Sequence, residues 1–147
     1  MENNYEYKFY NGDELKKNKK LLGELNKIIH DYDYMGDILN FLSTESIICC
    51  MTSNRVIIGL SWVTLCEELQ MAELSWFITN KREIKGLDGK NLLDKTLEFC
   101  KSKNIKMVKF NCGLDSWGRI KNKNKLLSKY GYKVDENEED YDVSIKI

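Results

Sequence analysis

The sequence predicts a mixed α/β fold with a mostly antiparallel central sheet of about seven strands and helices on both faces. Segments with the two-residue period of strands alternate with segments of helical period in the order β-α-α-β-β-β-α-β-α-β-β. Three strand segments follow one another between residues 46 and 79 with only short polar turns between them, as antiparallel strands do. The 147 residues, 42% of them hydrophobic, suit one domain with a buried core, so we expect a single domain over residues 1–147.

The first strand and two helices are expected before residue 43. Glu6–Tyr10 alternates aromatic with polar residues and runs into a turn at Asn11–Asp13. Apolar residues then recur three and four positions apart, which indicates a helical pair with one stripe facing a core. The first helix carries Leu21, Leu25, Ile28, Ile29 and Tyr32, and the second carries Met35, Ile38, Leu39 and Leu42.

The middle of the chain is predicted to form a strand meander, a helix and a further strand. Residues 53–55 make the first two strands a hairpin, and the polar turn Glu67–Gln70 leads into the third. The helix carries its apolar residues on one face. The predicted elements are the strands Ile47–Thr52, Val56–Leu65 and Met71–Thr79, the helix Gly89–Lys103 and the strand Lys106–Cys112.

The C-terminal segment is predicted to be a helix and a strand pair. The helix starts after Gly113–Asp115 and ends near Tyr130. The strands Tyr132–Val134 and Tyr141–Ile147 follow, joined by the acidic turn Asp135–Asp140. This acidic stretch lacks the ordered spacing of a calcium loop, so we interpret it as a surface turn.

The balanced charge argues against some function classes. Lys plus Arg and Asp plus Glu each number 23, so no global field draws the chain to nucleic acid or an anionic membrane. The basic clusters Lys16–Lys20 and Lys121–Lys125 lack interleaved aromatics, which leaves an RNA-binding module as a weaker alternative. No apolar run approaches the roughly 18 residues of a membrane span, and the N-terminus lacks a signal-peptide layout. We expect a cytoplasmic protein without nucleic-acid or membrane partners.

The five cysteines predict no metal centre. They stand at positions 49, 50, 66, 100 and 112, form no C-x-x-C pair, and are far in sequence from the single histidine, His30. We expect buried, reduced thiols, because free cysteine packs as a small hydrophobe. Trp62 and Trp76 lie in apolar strands and are expected to pack in the core, whereas Trp117 could line a pocket.

An anion site is predicted between the strand Met71–Thr79 and the helix that follows. A strand that runs through a glycine-bearing loop into a helix points backbone N–H groups and the positive end of the helix dipole at one spot. Gly86 and Gly89 leave room for a ligand to approach the backbone. The basic residues around them are Lys81, Arg82, Lys85 and Lys90.

The element order carries a family resemblance that is most specific at residues 73–78, Arg82, 89–93 and Lys129–Tyr132. These features resemble the GNAT superfamily of acyl-CoA-dependent N-acyltransferases, and the resemblance covers nearly the whole chain. The resemblance implies one acyltransferase domain with acetyl-CoA as co-substrate and no metal. It also implies that the acceptor is a small-molecule or peptide amine. We expect the protein to be a monomer or a homodimer. The implied cofactor-binding residues are Trp76, Phe77 and Ile78 on the strand, and Arg82, Lys85, Gly86, Leu87, Asp88, Gly89 and Lys90 in the loop and helix start.

Two departures from the family pattern support an alternative function. Leu87 stands where the family's first loop glycine would fall, unless the loop is shifted so that Gly86 serves, and Asp88 adds a negative charge beside the expected phosphates. Leu127 stands four residues before Gly131, where many members carry a Tyr that protonates the leaving thiolate. The alternative is a catalytically degenerate binding or interaction module with the same fold.

The resemblance implies Glu73 as general base and Tyr130 as a candidate acid. Only the free amine attacks a thioester, and an amine is mostly protonated at neutral pH, so a carboxylate that takes its proton would help. Strand alternation places Glu73, Ser75 and Phe77 on one face. A strand-end glutamate that is simply solvated is an equally good interpretation of Glu73.

The acceptor site is expected between the first two helices, at Asp31, Tyr32 and Tyr34. Carboxylates beside aromatic rings suit a cationic amine through charge and cation–π attraction. A capped, solvated helix connection explains the same residues, and the neighbouring His30 is best explained as structural.

Overall fold

Seven strands form one sheet in the order β1-β2-β3-β4-β5-β7-β6, within the residues that the computed structural model describes, 5–30, 43–79, 88–111, 127–137 and 142–147. The strands are β1 Glu6–Asn11, β2 Ser46–Ser53, β3 Val56–Cys66, β4 Met71–Thr79, β5 Met107–Asn111, β6 Lys133–Asn137 and β7 Asp142–Lys146. The helices are α1 Gly12–Lys16, α2 Lys19–His30 and α3 Asp88–Ser102, with a 3-10 turn at Glu67–Leu69.

The strand pairing is mixed and mostly antiparallel, which confirms the predicted fold class. β1 with β2, β5 with β7 and β6 with β7 are antiparallel, whereas β4 with β5 is parallel. The predicted hairpin between β2 and β3 is confirmed: Asn54 and Arg55 both have positive φ, 50° and 68°, as in the two-residue turns whose twist matches a hairpin. The second predicted helix, 35–42, and most of the fourth lie outside the described residues.

Two local predictions were wrong. Residues 12–16 form the short helix α1, because the Asn11 side chain accepts from the Glu14 N–H at 2.8 Å and Glu14 reaches back to the Asn11 N–H in a capping box. Residues Asp135, Glu136 and Asn137 continue β6 and pair with β7, where a turn was predicted. β6 is an edge strand, and an edge tolerates charged side chains that a central strand would not.

The chain forms two compact units, residues 1–63 with 76–96 and residues 64–75 with 97–147, and the prediction of one domain stays a prediction. In the first unit, helices pack on both faces of the strands. One cluster joins α1 and α2 to β2 and β3 through Leu15, Leu21, Leu22, Leu25, Ile48, Cys50, Ile57, Leu60 and Trp62. The other joins α3 to the same strands through Leu92, Cys49, Met51 and Ile58. Trp62 is buried as predicted.

β3 changes phase at Gly59. Ile58 belongs to the α3 cluster, whereas Leu60, two residues later, belongs to the α1 and α2 cluster. Residues two apart in a regular strand share a face, so one extra residue must be accommodated between them, as in a β-bulge. This shift turns Ser61 towards α3 and Trp62 away from it.

In the second unit, two chain reversals use the same C-terminal cap. α3 ends with the N–H of Ile105 bonded to the carbonyl of Cys100 at 3.0 Å and Asn104 at φ 62°. The helical turn at residues 127–129 ends likewise, with Tyr132 N–H bonded to Leu127 O and Gly131 at φ 93°. Both are Schellman motifs, which satisfy carbonyls that the helix end leaves open. The closing turn predicted at Gly131 is thereby confirmed.

None of the described helices combines the length and the apolar character that crossing a membrane requires.

The cysteines differ in accessibility. Cys49, Cys50 and Cys100 are buried, but Cys66 is exposed at the end of β3, so the prediction of uniformly buried thiols was wrong for Cys66. Cys112 lies outside the described residues. Burial raises the pKa of the Cys49 and Cys50 thiols to about 12 and that of Cys100 to about 11.

We therefore expect Cys66 to react with a thiol reagent much faster than the three buried cysteines. At pH 8 a thiol of pKa about 12 is only about one part in ten thousand thiolate, and burial also blocks access to the reagent. Peptide mapping after timed alkylation of the native protein measures this. Modification of Cys49 at the rate of Cys66 would contradict the packing described above.

Candidate functional site

The first turn of α3 contains a glycine with free space beside it among the described residues. Asp88 is the first helical residue, and a Cβ built on Gly89 would meet no atom within 4 Å among the described residues. The first turn of a helix leaves N–H groups without helical partners and carries the positive end of the dipole. Arg82, Lys85, Gly86 and Leu87 lie outside the described residues. The first-turn backbone of a helix can offer N–H groups to an anion, and residues 88–90 are the described part of the predicted pyrophosphate site.

Lys90 has a partner on its own helix. Its Nζ lies 2.8 Å from Asp94 Oδ2, an i, i+4 ion pair in which both side chains remain partly exposed. Such a pair contributes only about 0.3–0.5 kcal/mol. This ion pair by itself therefore does little to hold Lys90 in place, and the predicted role of Lys90 at the pyrophosphate stays a prediction.

A buried chain of hydroxyl groups fixes α3 to β3. Thr96 donates to the carbonyl of Leu92 at 2.8 Å, and its Oγ1 lies 2.6 Å from Ser61 Oγ. Because Thr96 has already used its proton, Ser61 must donate to Thr96. The Cys49 thiol interacts with Ser61, and burial raises its pKa to about 12. A buried hydroxyl group that lost its hydrogen-bond partner would cost about 1–3 kcal/mol of folding free energy. The hydrogen bonds of Thr96 and Ser61 therefore help to fix the position of α3 on β3.

The strand β4 alternates as predicted. Glu73, Ser75 and Phe77 are exposed, whereas Ala72 and Leu74 are buried. The described pairing with β5 runs from Met71↔Met107 to Leu74↔Phe110, and β4 continues to Thr79. Trp76, Phe77 and Ile78, the residues predicted to offer backbone groups to pantetheine, lie in that continuation.

Glu73 lines a cavity of about 250 Å³ in the second unit. Its neighbour across the parallel register is Lys109, which lines the same cavity. The other lining residues are Thr64, Cys66, Leu69, Met71 and Ala72. A carboxylate on the wall of a cavity large enough for a small ligand can accept a proton from an amine there, which distinguishes Glu73 from a glutamate on a flat surface.

Tyr130 lies in the turn that closes the 127–129 helix, half-buried, and its N–H donates to the Leu127 carbonyl at 3.2 Å. Leu127 itself is buried. The position at which many family members carry the acid is thus filled here by an apolar side chain. The role of Tyr130 as an acid stays a prediction.

The predicted acceptor residues Asp31, Tyr32 and Tyr34 lie outside the described residues, as does Trp117. Sequence reasoning missed Thr64, Cys66, Leu69 and Lys109 as neighbours of Glu73. A lysine inside the apolar strand 107–110 was the available signal for Lys109, but only the parallel register shows that it lies opposite Glu73.

Neither the family models nor the curated proteins contain a match to this sequence. Solved structures do match. Tetrahymena GCN5 superimposes with a TM-score of 0.69 at 15% identity, covering 97% of this chain and 96% of its own. An acetyltransferase of the GNAT family from Staphylococcus aureus gives 0.65 at 14% identity, with coverage of 96% and 99%. The PaiA N-acetyltransferase from Thermoplasma acidophilum, solved with coenzyme A, gives 0.61 at 16% identity, with coverage of 98% and 99%. The chain has the fold of the GNAT acetyltransferases.

Proposed function

We propose that this protein is an N-acetyltransferase that moves an acetyl group from acetyl-CoA to a primary amine by direct attack. The observation that carries the proposal is the GNAT fold over 97% of the chain, shared with acetyltransferases. The first turn of α3 also supports it, because a pyrophosphate needs several N–H donors and backbone without a Cβ in the way, and Gly89 lies in that turn with no described atom in the space of a Cβ. Acetyl-CoA would be held there and along β4 at Trp76, Phe77 and Ile78.

In the proposed reaction, the amine nitrogen attacks the thioester carbonyl and the carbon–sulfur bond breaks. Glu73 accepts a proton from the amine, directly or through water, and the departing thiolate takes a proton from Tyr130 or from solvent. No covalent enzyme intermediate is needed, because a free amine is already nucleophilic towards a thioester. The balanced charge and the reduced cysteines fit a cytoplasmic setting.

Calorimetric titration with acetyl-CoA and a thiol-release assay over a panel of primary amines test the proposal together. Saturable binding and amine-dependent release of CoA are expected. If no heat of binding is measured at millimolar acetyl-CoA, the proposed acetyltransferase activity is wrong. Binding without turnover on any amine would instead favour the second candidate, a degenerate binding or interaction module. The buried Leu127 and the acidic first residue of α3, Asp88, favour that candidate.

Replacing Asp88 with Asn is expected to strengthen acetyl-CoA binding about two- to fivefold. A carboxylate in the first turn competes with a phosphate for the same N–H groups and the same positive dipole end, an effect of about 0.3–1 kcal/mol. Titration calorimetry at low salt measures the affinity, and raising the salt concentration should reduce the gain. Glu98→Gln, an exposed position ten residues further along the same helix, is the control for the removal of a carboxylate. Unchanged or weaker binding by Asp88→Asn would place the pyrophosphate elsewhere.

A further inference from the structure

The cavity beside Glu73 contains a matched pair of opposite charges. Glu73 and Lys109 are Cα partners in the parallel register, and neighbouring strands lie about 4.8 Å apart. Both side chains line the cavity. Glu73 is exposed, and Lys109 is half-buried.

Glu73 and Lys109 are not joined by an ion pair in the part of the chain that the structure describes. The remaining lining consists of three apolar residues, Leu69, Met71 and Ala72, together with Thr64 and Cys66. A ligand in this cavity therefore meets one acidic and one basic side chain, carried by residues that are Cα partners on neighbouring strands.

We propose that the acceptor is an amine that carries its own anionic group, of which an α-amino acid is the simplest example. This inference rests on the proposed function. The acceptor's ammonium would lie at Glu73, which takes its proton, and its carboxylate would lie at Lys109. A charge-assisted contact of this kind is about twice as strong as a neutral hydrogen bond. An amine without an anion would leave Lys109 uncompensated in the cavity, so charge selects the acceptor.

The test compares amino acids with their amides, which differ only in the anionic group. Leucine, phenylalanine and glutamate and their α-amides would be assayed by CoA release with the wild type, Lys109→Met and Lys109→Glu. The ratio of kcat/KM for acid over amide is expected to fall at least tenfold in Lys109→Met and further in Lys109→Glu. Because each variant is compared with the wild type on the same pair, the different pKa values of the two amines cancel.

Lys101→Met is the matched control, since Lys101 is exposed on α3, does not line the cavity, and loses the same charge. It should keep the wild-type ratio. If the acid-to-amide ratio of kcat/KM is the same in the wild type and in Lys109→Met, the inference about the acceptor is wrong, whereas the proposed acetyltransferase activity is unaffected.

If no amine is acetylated, the proposed function fails, and calorimetric binding of the same pairs decides the inference alone. If the wild type binds the acid more tightly than the amide and Lys109→Met does not, the proposed binding of an anionic group at Lys109 is supported. No binding of any acid at millimolar concentration would overturn it.

Discussion

Replacing Glu73 with Gln is expected to lower kcat/KM for acetyl transfer about a hundredfold at neutral pH, within the usual range for loss of a general base. Gln keeps the size of the side chain and removes its ability to accept a proton. Glu73 is exposed on β4 and contributes no buried contact, so the variant should fold normally and bind acetyl-CoA with unchanged affinity. Initial rates of CoA release, with calorimetry for the cofactor, measure both quantities.

The pH dependence separates a base from a residue that merely shapes the cavity. Primary alkyl amines have pKa values near 10, so the free amine becomes abundant as pH rises towards 10 and needs a base less. The deficit of Glu73→Gln should therefore shrink steadily between pH 7 and pH 10. Glu68→Gln, an exposed glutamate in the neighbouring 3-10 turn, should behave as the wild type throughout. A deficit that stays constant with pH would assign Glu73 to binding, and a deficit below about twofold would remove it from the mechanism.

The sequence predicted those parts of the fold that depend on local patterns. The β2–β3 hairpin follows from Asn54, which tolerates the positive φ that such a turn demands, and the closing turn follows from Gly131. The alternation that exposes Glu73 is likewise a property of β4 alone. Each of these features is determined within about ten residues of chain.

Features that depend on partners distant in sequence could not be predicted. The phase shift at Gly59 shows itself only through the helices that Ile58 and Leu60 contact. β6 continues into an acidic stretch that an edge strand tolerates, and its place at the edge of the sheet cannot be predicted from its own residues. Lys109 shares a cavity with Glu73 because the two are register partners, although Glu73 lies 36 positions earlier in the chain. In each case a pairing between distant segments overrides the local pattern.

Gly12 is the strongest example, and Gly12→Ala is expected to destabilise the protein by about 1–3 kcal/mol. The sequence Asn-Gly-Asp indicates a turn, yet Gly12 is buried at the start of α1. A Cβ at this position would overlap the carbonyl oxygen of Ser43. That carbonyl cannot move aside cheaply, because it accepts the N–H of buried Ser46 at 3.2 Å while the Ser43 N–H donates to Ser46 Oγ at 3.0 Å.

Gly23→Ala provides the opposite expectation within the same unit. Gly23 lies exposed in the middle of α2, and a Cβ there would meet no atom within 4 Å among the described residues. Alanine in a helix interior is favoured over glycine by about 0.5–1 kcal/mol, so this variant should be more stable than the wild type. Urea unfolding of both variants with a common m-value measures the two changes. Equal changes in unfolding free energy for the two variants would contradict this prediction. They would show that the backbone at residue 43 moves aside for the alanine at position 12, because the contact with Ser43 is what distinguishes Gly12→Ala from Gly23→Ala.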